Sequence, residues 1–513
     1  MPNYHSLLHS LSHLKNTLPS LAGRAPGFTV GGFLPPAHEQ KFHAGKPSPI
    51  EYIDNPAKTE ISLLQHIGPV AKPLVDIGEH VHSGQLIAQT GNMSDGELKQ
   101  NFLYSRIHSP IDGIVTAIES HTLANGLKAE SIVIEYETLP GNPAKPAAGR
   151  NHVSGRWRGK GHKEILERVA EAGIVGMGGA TFPTDIKLHL PINRRCDYLL
   201  LNAVECEPYL RSDTGLLEEM AFDVIGGIDI LAECLKPKHI VIGLEKNQSW
   251  VLPLLKEAIR NYRAQLKPGD GSRENSIGLL PPIRIAILRT RYPQGAERQL
   301  VEAVSGREVP PGKLPSEVGC IVINISTGKA IYDALERGLP LTRRIVTVGG
   351  GAVRSPKVFN APLGTPLSDL LDRCGGLDKP VARMMNGGPM MGTSFYDFRQ
   401  FVTKGSAGFL FLTAEEIAQK KERPCIRCDA CIQVCPMGLE PTAMYKHILA
   451  EETDSAERIG LMNCIECGAC ASVCPSQIPL TQGFRMGKVR WHLQQQNPEN
   501  SENLHGRPED AAR

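Results

Sequence analysis

Two stretches near the C-terminal end decide the class of this chain: CIRCDACIQVCP at residues 425–436 and CIECGACASVCP at residues 464–475. Each reads C-x2-C-x2-C-x3-C-P, the spacing of [4Fe–4S] ligation. Three thiols on one tight loop cap one corner of a cubane. The fourth lies beyond, on the following helix, and points at the other cluster. The spacing therefore groups Cys425, Cys428, Cys431 and Cys474 around one cluster and Cys464, Cys467, Cys470 and Cys435 around a second. Pro436 and Pro475 turn the chain away after each run. Zinc favours two C-x2-C knuckles with a longer loop between them, and a disulfide scaffold belongs with export; neither pattern fits. The remaining cysteines of the thirteen, Cys196, Cys206, Cys234, Cys320 and Cys374, are scattered and read as small core residues. Two clusters imply one-electron transfer and name neither donor nor acceptor.

Working upstream, residues 162–172 place Ile165, Leu166, Val169 and Ala170 on one helical face. That helix runs into Gly173-Ile174-Val175-Gly176-Met177-Gly178-Gly179-Ala180-Thr181-Phe182-Pro183-Thr184-Asp185-Ile186-Lys187. The glycines let a backbone approach a ligand closely. Thr181 is expected to cap a new helix with Pro183 in its first turn, a start that offers free N–H groups to a phosphate, with Lys187 one turn on. A helix rather than a strand precedes the glycines, so this is not the Rossmann fingerprint. Next, the apolar strand Tyr198-Leu199-Leu200-Leu201 ends in Asn202-Ala203-Val204-Glu205-Cys206-Glu207-Pro208-Tyr209. Polar groups at a strand end stand where α/β folds bind ligands; the plainer reading is a solvated loop. Residues 214–290 alternate helical and strand patterns, which indicates a largely parallel sheet. Tyr292-Pro293-Gln294-Gly295-Ala296-Glu297 and Pro310-Pro311-Gly312-Lys313-Leu314-Pro315 follow, then the strand Ile321-Val322-Ile323 ending in Asn324-Ile325-Ser326-Thr327. Residues 344–390 read as a short-strand module, leading into Asn386-Gly387-Gly388-Pro389-Met390-Met391-Gly392.

Composition bounds the rest. At roughly 100–200 residues per domain, 513 residues predict three or four domains. Lys+Arg is 56 against 54 Asp+Glu, so charge gives no reason to expect nucleic acid. No apolar run reaches the roughly 18–20 residues of a membrane span, and the N-terminus lacks the pattern of a signal peptide. Leu7, Leu8, Leu11, Leu14, Leu18 and Leu21 form one helical stripe, which fits an amphipathic segment on a partner, on lipid or on its own domain. Residues 62–138 are glycine-punctuated short strands that resemble the barrel-sandwich hybrid of biotinyl and lipoyl carriers. No modifiable lysine tip is found, so a structural or docking role is expected.

The order of these motifs resembles the RnfC/RsxC family of the Rnf (also called Rsx) ion-translocating oxidoreductase complex, over about residues 25–490. The carrying motifs are Gly-Gly-Ala-Thr-Phe-Pro at 178–183, Asn-Ala-Val-Glu-Cys-Glu-Pro-Tyr at 202–209, Tyr-Pro-Gln-Gly at 292–295, Gly-Gly-Pro-Met-Met-Gly at 387–392 and the paired cysteine runs. The middle region is similar to the flavin- and NADH-binding subunit of respiratory complex I. The resemblance implies a multidomain α/β and α+β chain. It divides into an N-terminal amphipathic segment (1–30), a barrel-sandwich hybrid module (31–138), a linker (139–160), an FMN/NADH-binding α/β domain (161–340), a β-grasp-like SLBB module (341–395), a ferredoxin-like helical domain with two [4Fe–4S] clusters (415–490) and a disordered tail (494–513).

By motif position, Gly176, Gly178, Lys187, Asn202, Glu205, Asn324 and Thr327 would contact FMN, with Gly295 and Glu297 nearby, while Glu207, Phe182 and Lys313 would face NAD(H). Three positions depart from the complex I pattern: Met177 replaces an arginine, Val204 an aspartate, and Ile323 the first of two asparagines. Each lost hydrogen bond costs about 1–3 kcal/mol. Leu34 stands where the lead-in usually has histidine. The implied activity is an electron relay between ferredoxin or flavodoxin, the clusters, FMN and NAD, with no catalytic acid or base. The implied place is peripheral, with the other members of the complex, on the cytoplasmic face of the bacterial inner membrane. Two alternatives share modules with this plan: a soluble cobalamin-reductase-like flavin/iron–sulfur protein, in which the barrel-like module follows the clusters, and a docking subunit with a degenerate flavin site, as in Na⁺-pumping quinone reductase.

Overall fold

The computed structural model describes residues 27–34, 49–90, 103–137, 153–155, 157–191, 193–266, 280–417 and 421–496. The amphipathic stripe at Leu7–Leu21 and most of the 139–160 linker lie outside the described residues.

Apolar residues alternating along short strands build the first module. A four-stranded antiparallel sheet pairs Lys58–Ser62 with Lys128–Tyr136, that strand with Gly113–Thr122, and the last with His80–Val81. A three-stranded sheet of Lys72–Pro73, Leu86–Gln89 and Arg106–His108 closes over it. Ile61, Val81, Ile87, Ile107, Val115, Ile132 and Ile134 point inward between the two and form one core.

The α/β domain is built on four parallel strands in the order Ile283–Leu288, His239–Glu245, Tyr198–Ala203, Cys320–Asn324. Successive side chains of a strand face opposite sides. Leu199, Leu201, Ile240, Ile242, Ile321 and Ile323 thus join the core under the helices Ser212–Leu235, Leu252–Gln265 and Ile325–Tyr332. Leu200, Val241 and Val322 join Leu300 and Val301 of the helix Glu297–Ser305 on the other face. Buried on both faces, these strands read as continuous apolar runs. The chain leaves Tyr198–Ala203 outward in one direction for the next two strands and returns to pair Cys320–Asn324 on its other side. That reversal places the switch-point crevice beyond the carboxyl ends of Tyr198–Ala203 and the edge strand Cys320–Asn324.

The third unit is a six-stranded mixed sheet, in the order Ile50–Tyr52, Lys357–Pro362, Arg343–Gly349, Gly408–Leu412, Arg383–Asn386, Thr393–Phe395, with the helix Leu367–Arg373 against it. Its sheet draws strands from outside the expected 341–395 module: Ile50–Tyr52, within the expected barrel range, pairs in parallel with Lys357–Pro362, and Gly408–Leu412 is a central strand. Backbone pairing across some three hundred residues leaves no local trace in sequence.

The last unit is helical, with Met444, Ile448, Ala456, Leu461, Leu480 and Phe484 packed between the two cysteine loops. Its final helix runs Leu480–Gln496, so Gln494–Gln496, expected in the disordered tail, are helical; residues 497–513 lie outside the described residues.

One helix crossing is unusually close. A methyl group added at Gly227 would overlap the carbonyl of Gly328, and one at Gly226 would overlap the Tyr332 ring. Overpacking a closed core costs about 1–3 kcal/mol. Gly227→Ala is expected to lower unfolding stability by about that amount, read as a shift of the denaturation midpoint at unchanged slope.

Candidate functional site

The two cysteine loops have one backbone plan. Arg427 and Asp429 in the first loop and Glu466 and Gly468 in the second carry positive φ, at 56°, 58°, 54° and 79°. Each loop then enters a one-turn helix, Ala430–Gln433 or Ala469–Ser472. The plan turns amides toward sulfur: Arg427 N–H donates to Cys425 Sγ, Glu466 N–H to Cys464 Sγ and Leu439 N–H to Cys435 Sγ, each at 3.4 Å. Cys435, Cys464, Cys467 and Cys470 line one cavity. Cys425, Cys428, Cys431 and Cys474 line a second. The structure thus brings together the two sets grouped by spacing, each taking its fourth thiol from the other run. Burial pushes the Cys467 thiol up to about 12; taking up iron there must displace protons. Four thiols around each cavity, with amides aimed at sulfur, fit a cubane.

The two cavities face different surroundings. Cys425 and Cys428 are exposed, with Ile426 between them. The other set turns toward the α/β domain. Buried Tyr292 donates its hydroxyl to the carbonyl of Cys467 at 2.7 Å and packs with Cys206, Cys467 and Ala469. Gln299 donates to the carbonyl of Pro436 at 3.2 Å. The Gly-Gly-Pro-Met-Met-Gly turn completes the seam. Glu207 accepts from the amides of Met390 (3.0 Å) and Met391 (2.8 Å), and a Cβ at Gly468 would lie 2.7 Å from Met390 O. Gly32 donates to Val434 O at 2.8 Å, and Phe33 pairs backbone to backbone with Tyr292, so the irregular lead-in is also part of the seam.

At the crevice, Asn202 and Asn324 are register partners on adjacent strands. Asn202 Nδ2 donates to Gly295 O at 2.8 Å, tying the strand end to the Tyr-Pro-Gln-Gly turn. Asn324 accepts from Ser326 N–H at 2.8 Å, capping the helix Ile325–Tyr332, and donates to Asp213 at 2.7 Å. Thr327 Oγ1 accepts from Met177 N–H at 3.0 Å. Gly178 lies over Asn324 so closely that a Cβ would meet its side chain at 2.9 Å. Gly178, Gly179 and Ala180 are exposed beside it. This backbone-lined cradle, with Gly176 at its base, fits a flat ring system with a phosphate tail.

Other candidates sit differently from expectation. Glu205 is buried and serves as the cap of the long helix Ser212–Leu235: its carboxylate accepts from Ser212 Oγ, from the amides of Asp213 and Thr214 and from Thr214 Oγ1, at 2.7–3.2 Å. It positions the crevice wall. Lys187 pairs with Glu297, so these two candidates meet each other. Glu207 is turned to the Met390–Met391 amides. Phe182 is exposed, its carbonyl accepting from Gly176 N–H at 2.8 Å. Lys313 is exposed on a following loop, where its carbonyl accepts from Arg298 at 3.1 Å. Thr181 does not cap the next helix. Its φ is 54°, its hydroxyl donates to Ala180 O, and the helix Thr184–Leu188 starts after Pro183. The ring of Pro183 fixes the N-cap position, and the helix is only five residues long.

Asp213 and Arg344 belong to the crevice without having been foreseen from sequence. Buried Arg344 donates to the carbonyl of Met177 at 2.6 Å and lies near Asp213 and Glu205. Arg344 comes from a strand of another module, while the Met177 side chain lies in the apolar core. Nothing near residue 344 in the sequence signals this.

Four family models match along the chain in order: the RnfC barrel sandwich hybrid domain over residues 29–138, the Nuo51 FMN-binding domain over 169–333, the SLBB domain over 345–394 and the 4Fe-4S dicluster domain over 417–475. With the cysteine cavities and the crevice, they define a modular iron–sulfur flavoprotein of the electron-transfer class, carrying FMN and two [4Fe–4S] clusters and taking NAD(H). The chain is 36% identical over 417 residues to the C component of the proton-translocating ferredoxin:NAD(+) oxidoreductase complex of Clostridium ljungdahlii, covering 80% of this chain and 83% of that one. It is 37% identical over 460 residues to the C component of the ion-translocating oxidoreductase complex of Rhodobacter capsulatus, covering 89% and 82%. It is 33% identical over 437 residues to the C component of the Na(+)-translocating ferredoxin:NAD(+) oxidoreductase complex of Acetobacterium woodii, covering 85% and 91%. The chain belongs to the RnfC family of the ion-translocating oxidoreductase complexes.

Buried acids around the seam give it a pH dependence. Desolvation raises the Glu207 carboxyl to about 7 and the Glu245 carboxyl to about 8, from an ordinary 4.5. Across the window from 4.5 to about 8 the folded chain holds protons that the unfolded chain has released, so stability falls as pH rises. Urea unfolding at a series of pH values should show that decline, and Glu245→Gln should flatten its upper part.

Proposed function

We propose that this chain is the peripheral electron-transfer subunit of a membrane-bound, ion-translocating ferredoxin:NAD oxidoreductase, exchanging electrons between NAD(H), FMN and two [4Fe–4S] clusters. The observation that carries this reading is the seam that sets the Cys435/Cys464/Cys467/Cys470 cavity against the end of the parallel sheet through Tyr292. FMN, when bound, supplies the conversion between two-electron hydride chemistry and single-electron steps. The chain's own residues bind and exclude water. Gly176, Gly178 and Asn324 form the cradle, Asn202 and Thr327 tie its walls together, and Lys187 with Glu297 stands at its rim. Glu207 is enclosed by the Met390–Met391 turn, and Phe182 and Lys313 are the exposed groups offered to the dinucleotide. No side chain acts as an acid or base.

Among the described residues no helix is long and apolar enough to cross a membrane. In this reading ion movement falls to other members of the complex, with this chain docked on them at the cytoplasmic face. The exposed Cys425–Cys428 loop is the side offered to a one-electron partner, ferredoxin or flavodoxin. The barrel module precedes the clusters in the chain, the order opposite to that of the soluble cobalamin-reductase type.

Anaerobically purified chain, reconstituted with iron and sulfide and loaded with FMN, should lose its cluster absorbance on addition of NADH. Flavin reduction with no cluster bleaching would contradict the relay, and a chain that refuses flavin would point to the docking role. Cys474→Ser should lose about half the bound iron and one of two EPR signals, because that thiol completes the set of the first loop.

A further inference from the structure

Lys404 is fully buried between three modules, with no carboxylate bonded to it among the described residues. Its ammonium donates to the carbonyls of Arg106 (2.6 Å) and Gly173 (2.7 Å) and to Ser105 Oγ (3.4 Å), and its amide donates to Gln65 Oε1 at 2.8 Å. Arg106, Ser105 and Gln65 belong to the barrel-sandwich module. Gly173 is the root of the glycine loop, at φ 64°, where an added Cβ would overlap Arg106 O. Burying an unpaired ammonium is costly unless its hydrogens are all used. Here two carbonyls and a hydroxyl use them; burial nonetheless lowers the Lys404 amine to about 7, and burial together with the charge of Lys404 holds His66 and His108 down at about 4 and about 3.

The same barrel module and its neighbour touch the glycine loop at two further points. Ile67 N–H donates to Thr181 O at 3.4 Å, and Gly405 packs so closely on Thr181 that a Cβ would lie 2.9 Å from its Cγ2. Left-handed backbone is unfavourable at a residue other than glycine, and the strained Thr181 is held at this clamp. Tyr104 of the barrel module donates to Asp185 Oδ2 at 2.6 Å, fixing the exit of the loop into its short helix. Root, apex and exit of residues 173–185 are thus each pinned by a module other than their own.

We propose that the barrel-sandwich module is a positioning device for the nucleotide-binding loop, to which Lys404 of the mixed-sheet unit joins it, with Tyr104 and Lys404 as the positioning residues. This rests on reading the crevice as the flavin site. In the absence of a modifiable lysine tip, it also gives a carrier-like module a use without a carried group. The module sets loop shape, so it acts on affinity for flavin and dinucleotide and leaves alone the cysteine cavities, which none of these residues line.

The test uses the full chain with both clusters reconstituted. FMN binding is titrated by fluorescence quenching, KM and kcat for NADH are separated, and cluster EPR serves as an internal control. Lys404→Met should weaken FMN binding about tenfold and Tyr104→Phe about threefold. In both, KM for NADH should rise with kcat nearly kept and the EPR signals unchanged. Where K404M fails to fold, Y104F, which removes one hydroxyl, carries the test. FMN affinity in Y104F within about twofold of wild type overturns the proposal. So does an equal loss in EPR signal, which would mean general destabilisation. Wild-type chain that takes up no FMN overturns the functional reading and this proposal together.

Discussion

The hydroxyl of Tyr292 donating to the carbonyl of Cys467 is the contact on which the arrangement depends. An electron passes only between centres held at fixed close approach, and these centres belong to modules folded around separate cores. The seam between them is buried and polar at a few points: Tyr292 on Cys467, Gln299 on Pro436, and the Met390–Met391 turn held by Glu207. Each of those contacts forms only when neighbouring modules are docked. Removing one partner leaves a buried donor or acceptor unsatisfied, at a cost of about 1–3 kcal/mol. Docking and the redox path are therefore one structural fact.

Electrostatics of the crevice follow from the same packing. Burial raises the carboxyls of Glu205, Asp213, Glu207 and Glu245, and Glu205 is pushed further by the charge of Asp213. Arg344 is the buried cation set against Asp213 and Glu205. It also holds Met177 O, tying the mixed sheet to the glycine loop.

What is legible in the sequence is what is local in it. The cysteine sets can be read because three ligands share one loop and the fourth is the last cysteine of the other, equally short run. The strand Tyr198–Ala203 and its polar end can be read because apolar runs in a parallel sheet are continuous. Lys404, Arg344 and the strand Ile50–Tyr52 are illegible for the opposite reason: their partners are contributed by segments far away in the chain. Thr181, a threonine two residues before Pro183, reads as a helix cap, whereas tertiary contacts with Ile67 and Gly405 accompany its left-handed conformation. Lys187 and Glu297 each read as ligand contacts, and their pairing with each other is invisible until the helices that carry them are placed.

The Cys435/Cys464/Cys467/Cys470 cavity faces the α/β domain, and the Cys425/Cys428/Cys431/Cys474 cavity has its exposed side at Cys425 and Cys428; on the proposed relay the first holds the inner cluster and the second the outer. Rapid-freeze EPR after mixing with NADH tests that order directly in two single-cluster variants. With Cys425→Ser, the remaining inner cluster should be reduced as fast as in the wild type. With Cys435→Ser, the remaining outer cluster should be reduced far more slowly. Equal rates in the two variants, or the reverse order, would contradict it.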